Sequence, residues 1–206
     1  MSIYKIEERR WNQMAQLEIL ATILGVDAGR MRSISMHLRK RGLLTRVGPG
    51  NINCLRQKDI MNLVIAEMIV GKSGYRTVDS HNAVLDVGKA EICAPASNDE
   101  RADRKGFLDY CGIPACQYFG ETFDRIFSRL CEGKPAPIIS INLTFSSSDI
   151  LPSIIFMNSN ARVSSFNFSL RRKIDNQSNS LIKRTSILPF ECLRKLTDIV
   201  GTWSVQ

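Results

Sequence analysis

The side chains that most often carry out chemistry in proteins are few in this sequence and do not form a recognised catalytic pattern. The chain of 206 residues has two histidines, His37 and His81, which are distant from each other in sequence. It contains no His-Glu-x-x-His motif, no nucleophile elbow and no glycine-rich dinucleotide-binding loop. We therefore expect no catalytic residue, no enzymatic activity and no cofactor.

Residue types that bind metal ions are similarly dispersed. Cys111 and Cys116 are the closest pair among the six cysteines, but neither histidine lies near them in sequence. The acidic residues Asp109, Asp124 and Asp149 would hold a metal only if the fold brought them together. We expect no metal site, with a zinc site as the less favoured alternative, and free thiols as in the reducing cytoplasm.

The triplet Gly71-Lys72-Ser73 matches the end of a phosphate-binding loop. Such a loop requires a further glycine at position 66, where this chain has Ala66, and it requires a preceding strand. Because the residues before the triplet have a helical pattern instead, we interpret the match as a chance occurrence.

Basic residues are concentrated near the N-terminus. The chain has a net charge of +8, and residues 1–60 contain eleven lysines and arginines against five acids. Residues 30–46 contain six of these bases and no acid. The net charge favours a polyanionic partner but does not choose among DNA, RNA and acidic proteins, and its concentration in this region favours a nucleic acid.

The predicted elements that position these bases are two helices joined by a tight turn within residues 20–44. Leu20 and Leu24 place apolar side chains on one face of the first helix. Gly25 suits the left-handed backbone that ends a helix, and Asp27 is a favourable N-cap for the next one. Cations are unfavourable in the first turn of a helix, so Arg30 in the second helix indicates a functional position.

The second helix has two different faces in its sequence pattern. Met31, Ile34 and Leu38 recur at helical spacing and are expected to pack against the first helix. The residues between them are basic or polar and are expected on the other faces. This division is typical of a helix that contacts a partner along one side.

The stretch resembles the helix-turn-helix of winged-helix DNA-binding domains, especially those of bacterial and phage regulators. The resemblance covers about residues 15–70, and the wing would be a hairpin turning at Gly48-Pro49-Gly50-Asn51. The matching residues are Leu20-Ala21, Leu24-Gly25-Val26, Asp27, Met31, Leu38 and Gly42-Leu43-Leu44.

The resemblance implies that the second helix enters the major groove of double-stranded DNA, with bases read at its start and phosphates bound at its end. The wing would lie along a groove or the backbone. The predicted DNA-binding residues are Ala28, Arg30, Arg32, Ser33, His37, Arg39, Lys40, Arg41, Arg46 and Asn51.

The remaining sequence changes from helical to alternating patterns near residue 138. Helices are predicted over residues 3–17, 56–70, 77–92 and 114–130, and residues 94–106 are predicted to be an exposed linker. Strands are predicted from about residue 138 to 145 and over 154–157, 163–170 and 181–187, before a closing helix at 189–200.

These elements predict an α+β fold. Residues 1–72 would form the winged helix-turn-helix domain, and residues 73–106 a helix and linker. Residues 107–206 would form a small antiparallel sheet with covering helices, for oligomerisation or for sensing a signal.

The leading hypothesis is a sequence-specific DNA-binding protein, a bacterial or phage transcriptional regulator that acts as a homo-oligomer, with a dimer favoured. One alternative is a DNA-recognition protein like the small terminase subunits of phage packaging machines, which would form a ring. Another is a protein-interaction module without a DNA role. We expect a cytoplasmic protein without membrane contact, because no run approaches the roughly 20 apolar residues of a membrane span.

Overall fold

The computed structural model describes residues 13–45, 55–73, 80–145, 150–170 and 184–203, with the main chain alone for 72, 73 and 201–203. Within these ranges the chain forms seven helices and one five-stranded antiparallel sheet, which confirms the α+β class. The helices are α1 (Gln13–Leu24), α2 (Ala28–Lys40), α3 (Gln57–Ser73), α4 (Ser80–Gly88), α5 (Asn98–Cys111), α6 (Phe119–Cys131) and α7 (Phe190–Trp203).

The sheet has the order β1-β4-β3-β2-β5, and β2 to β5 form a Greek key in which the fourth strand returns beside the first. Each neighbouring pair is antiparallel. The strands are β1 (Glu91–Ile92), β2 (Ile138–Phe145), β3 (Ile150–Met157), β4 (Val163–Ser169) and β5 (Arg184–Pro189).

One face of the sheet, the inner face, carries the core. Alternation along the strands places Ile141, Ile154 and Phe166 in register across β2, β3 and β4, and all three are buried. Phe107 of α5 stacks on this face, with its ring centroid 4.5 Å from that of Phe156. Helices α3, α4, α5 and α7 contact the strands, so the helices form a layer on the sheet.

Helix α6 contributes an aromatic stripe to the core. Phe119, Phe123, Ile126 and Phe127 recur at helical spacing and are all buried. The ring of Phe119 meets that of Phe168 of β4 edge to face, with centroids 5.4 Å apart. Aromatic side chains at this spacing are therefore occupied by packing and not available to stack on a ligand.

The prediction of an exposed linker at residues 94–106 is wrong, because α5 begins at Asn98. The Ser97 hydroxyl accepts from the Glu100 backbone N–H at 3.1 Å, and the Glu100 carboxylate accepts from the Ala96 N–H at 2.6 Å. These two bonds satisfy N–H groups at the helix start. Arg104 is buried in this helix and donates to the carbonyls of Cys93 and Ser165.

Several further boundaries differ from the prediction, including the start of β3, which lies at Ile150 rather than Ile154. Helix α1 is continuous from Gln13 to Leu24, whereas the sequence predicts one helix that ends at residue 17 and another that begins near residue 20. The predicted helical residues 3–12 lie outside the described residues. The helix predicted over residues 77–92 ends at Gly88 in the structure, and β1 follows at Glu91. The wing at residues 46–53 lies outside the described residues.

The predicted division at residues 72 and 106 remains a prediction. Helix α3 contacts strands β2 and β5, and α4 contacts β3, so the N-terminal helices pack directly on the C-terminal sheet.

None of the described helices is both long enough and apolar enough to cross a membrane.

Helices α4 and α6 approach so closely that glycine is required at their contact. A Cβ atom on Gly120 would lie 2.9 Å from the carbonyl oxygen of Gly88, whereas a Cβ on Gly106 of α5 would meet nothing within 4 Å. We expect Gly120→Ala to lower the free energy of unfolding by about 1–3 kcal/mol, because the clash is with backbone.

The matched control is Gly106→Ala, which should raise the free energy of unfolding by about 0.5–1 kcal/mol through reduced unfolded-state entropy. Both values come from urea titrations followed by circular dichroism. Equal effects of the two substitutions would contradict the close approach of α4 and α6.

Candidate nucleic-acid interface

The turn between α1 and α2 follows directly from Gly25 and Asp27. Gly25 has φ of 66°, and the next residue, Val26, donates its N–H to the Ala21 carbonyl at 2.9 Å. The Asp27 carboxylate accepts from the Arg30 backbone N–H at 2.8 Å, which caps α2. Two helices and a tight turn therefore lie where the sequence predicts them.

Helix α2 has one fully buried face and one open face. Met31, Ile34 and Leu38 have no exposed surface, and they pack where α2 meets α1, α3 and α4. On the opposite side, Met36 is 48% exposed. We call this side the α2 outer face, and it consists of Gly29, Arg32, Ser33, Met36, His37 and Lys40.

Arg30 borders the α2 outer face but is bound within the chain. Its Nη2 lies 2.5 Å from Oε1 of Glu67 on α3, and the Glu67 side chain is only 8% exposed. Burial raises the pKa of Glu67, while the charge and hydrogen bond of Arg30 lower it. A Cβ at position 71 would lie 2.7 Å from the same Arg30 nitrogen, so Gly71 leaves space for the guanidinium.

Arg32 and Arg39 connect α2 to α1. Arg32 forms an ion pair with Glu18, in which both side chains are about half exposed. Arg39 donates to the side-chain oxygen of Gln13 at 2.5 Å. An exposed ion pair contributes only about 0–1 kcal/mol, so Arg32 can exchange Glu18 for another anion at little cost.

The remaining predicted residues fall into three groups. Lys40 and Arg41 are exposed at the C-terminal end of α2, and no hydrogen bond or ion pair of their side chains is seen among the described residues. Three others are half-buried on α2, and two lie outside the described residues. The half-buried residues are Ala28, Ser33 and His37, and the two outside are Arg46 and Asn51.

Asp59 of α3 is a structural residue that sequence reasoning missed. It is buried, and its carboxylate accepts from the N–H groups of Thr45 and Arg56, both at 2.9 Å. Nearby, the Gln16 side chain accepts from the Leu55 N–H at 2.7 Å. These bonds hold the two ends of the segment 46–54 close together. Asp59 lies three residues after Arg56, as an acidic residue does in a helix N-capping motif. From this spacing the role of Asp59 could have been predicted.

Cys111 and Cys116, the closest pair of cysteines in the sequence, are buried. Burial raises the pKa of Cys111 to about 11 and also raises that of Cys116, so both thiols keep their protons at neutral pH. Among the residues that the structure describes, no three or more histidine, cysteine or acidic side chains lie together as a metal site would require.

No protein-family model matches the sequence, and neither curated proteins nor solved structures give a match. The functional argument therefore depends on the chemistry and geometry of the chain itself.

The Arg30–Glu67 pair predicts a pH-dependent stability defect. Arg30→Ala leaves the Glu67 carboxylate buried without its cation, so the pKa of Glu67 rises further in the folded state. A group with a raised folded-state pKa loses stabilisation as the pH rises through that value. We expect the variant to lose about 1–3 kcal/mol at about pH 7.5 and clearly less at about pH 5.

The measurement is urea unfolding of the wild type and the variant at both pH values. The control is Arg30→Ala combined with Glu67→Gln, which removes the buried charge and should abolish the pH dependence of the difference. A difference that does not change with pH would show that the Glu67 carboxylate does not depend on Arg30.

Proposed function

We propose that the α2 outer face binds the major groove of double-stranded DNA and that the chain is a sequence-specific DNA-binding protein of the regulator type. The observation that carries the proposal is the division of α2 into a buried apolar face and an open face. That open face presents only polar, basic and small side chains together with Met36. A helix held in this way can enter a groove without losing its own packing.

The charge distribution supports the proposal. Helix α2 contains no acidic residue, and its last turn contains His37, Arg39 and Lys40. Positive charge at a helix C-terminus is stabilised by the helix dipole and is available to nearby phosphates. The net charge of +8 favours the approach of the whole chain to a polyanion.

The contacts within the chain suggest how the roles are divided. Arg32, Ser33 and His37 point outward and can reach base edges, and Met36 can contact the methyl group of thymine. Lys40 and Arg41 are placed for phosphates. Arg30 and Arg39 hold α2 against its neighbours, so they position the interface even where they do not contact a base.

The anchoring of Thr45 and Arg56 by Asp59 supports the predicted wing. A segment whose two ends are held by one carboxylate leaves and returns at the same place, as a hairpin must. The contacts predicted for Arg46 and Asn51 with a groove or the backbone remain part of this proposal.

The test begins with selection of the preferred duplex from a random library by the full chain. Binding of that duplex and of a scrambled duplex is then measured by fluorescence anisotropy at two salt concentrations. We expect Lys40→Ala to weaken binding to both duplexes and to flatten the salt dependence, because it removes a phosphate contact. Arg32→Ala should cost about 1–3 kcal/mol on the selected duplex and little on the scrambled one.

The matched control is Lys105→Ala, which removes an exposed positive charge from α5, away from α2. It should change binding far less than Lys40→Ala. Equal losses for Lys40→Ala and Lys105→Ala would show that binding depends on net charge alone. Failure of the wild type to retain any duplex at low salt would overturn the proposal.

A further inference from the structure

The sheet has a second face, which we call the outer face of the sheet. The register places Ser140 beside Ile155, and Ile155 beside Ser165, on the side opposite the core residues. The neighbouring rows are Asn142 with Ser153, Asn167 and Ile187, and Thr144 with Leu151 and Thr185; Met157 pairs with Val163 at one end.

On strands β2 to β5 this face carries apolar surface without charge, and the charged residue Glu91 of the edge strand β1 pairs with Ser169 at its margin. Ile187 is 59% exposed, Val163 is 65% exposed, and Leu151 and Met157 are exposed as well. Strands β2, β3 and β4 have no charged residue as described. The one charged residue of β5, Arg184, pairs with Phe145 and therefore belongs to the opposite side.

We propose that the outer face of the sheet is a self-association surface whose partner is a second copy of this chain. In a two-fold interface, each group near the axis faces its own copy, so the surface must be complementary to itself. The hydroxyls and amides of Ser, Thr and Asn each donate and accept hydrogen bonds, so identical groups can pair. A charged group there would face a like charge.

The charge of the whole chain strengthens this assignment. Two copies, each with a net charge of +8, repel one another over most of their surfaces. The part of the outer face that β2 to β5 form is a region where they can meet without placing like charges opposite each other. An acidic protein partner would find no positively charged side chain to pair with on this face of β2 to β5.

The size of the face fits a reversible dimer. Four strands about 4.8 Å apart, each of six to eight residues rising about 3.3 Å per residue, give a footprint of roughly 450 Å² per copy. Because side chains protrude from the sheet, the accessible surface that two copies bury would be larger than two footprints, on the order of 1,000–1,300 Å² in total. This area is near the lower limit for specific interfaces. We expect a dimer with a micromolar Kd.

Such a dimer would place the two α2 helices back to back. The principal contacts of α2 are with α1, α3 and α4, and α3 and α4 lie on the inner face of the sheet. The α2 helices would be on the order of 50 Å apart and would face away from each other. This consequence rests on the proposed function: the dimer would hold two duplexes and would not read adjacent half-sites of one duplex.

The experiment is sedimentation equilibrium of the full chain without DNA, from about 1 to 100 μM, which spans the Kd expected for an interface of this size. The variants are Ser153→Lys at the centre of the face and Ile187→Lys at its most exposed strand. Met14→Lys is the matched control, because it adds the same charge at an exposed apolar position on α1. Circular dichroism establishes that each variant is folded.

We expect wild-type protein and Met14→Lys to dimerise with the same Kd, and both sheet variants to raise that Kd about tenfold or more. Raising the salt concentration should tighten the wild-type dimer by screening the repulsion between copies. A wild type that stays monomeric throughout, or sheet variants that dimerise like Met14→Lys, would overturn the proposal. Because no DNA is present, the result is independent of the proposed function.

Discussion

The ion pair between Arg30 of α2 and Glu67 of α3 constrains the position of the proposed recognition helix. Glu67 lies in a helix that is buried along most of its length, and an ionised carboxylate there is unfavourable without a cation. Arg30 supplies that cation across Gly71, where any larger residue would displace the guanidinium. Because α3 itself packs on β2 and β5, the pair connects α2 to the sheet through one intermediate helix.

The two proposals assign different functions to two opposite surfaces of the molecule. The α2 outer face is polar and basic, whereas the outer face of the sheet is uncharged over β2 to β5 and partly apolar. The core lies on the inner face of the sheet, where the rings of Phe107, Phe156 and Phe166 pack against one another. Under the two proposals, DNA binding and self-association are carried by opposite surfaces of different chemistry.

Much of the fold was predictable because its determinants are local. The alternation of apolar and polar residues in β2 and β4 gave those strands close to their observed bounds, and helical spacing gave α3, α6 and α7. Helix α5 was not predictable in this way. The buried side of α5 includes Arg104, whose guanidinium donates to the carbonyls of Cys93 and Ser165. Because arginine is usually exposed, the sequence pattern did not indicate that this side of α5 is buried.

For the candidate site, the sequence by itself determined the two helices, the turn at Gly25, the cap at Asp27 and the buried face of α2. Each of these depends on residues within four positions of one another, and the physical preferences of such neighbours can be read directly. Only the tertiary structure decided which basic residues remain open. Arg30 is held by Glu67 and Arg39 by Gln13, while Lys40 and Arg41 stay exposed. Those pairings depend on residues that are distant in sequence and meet only when the helices pack.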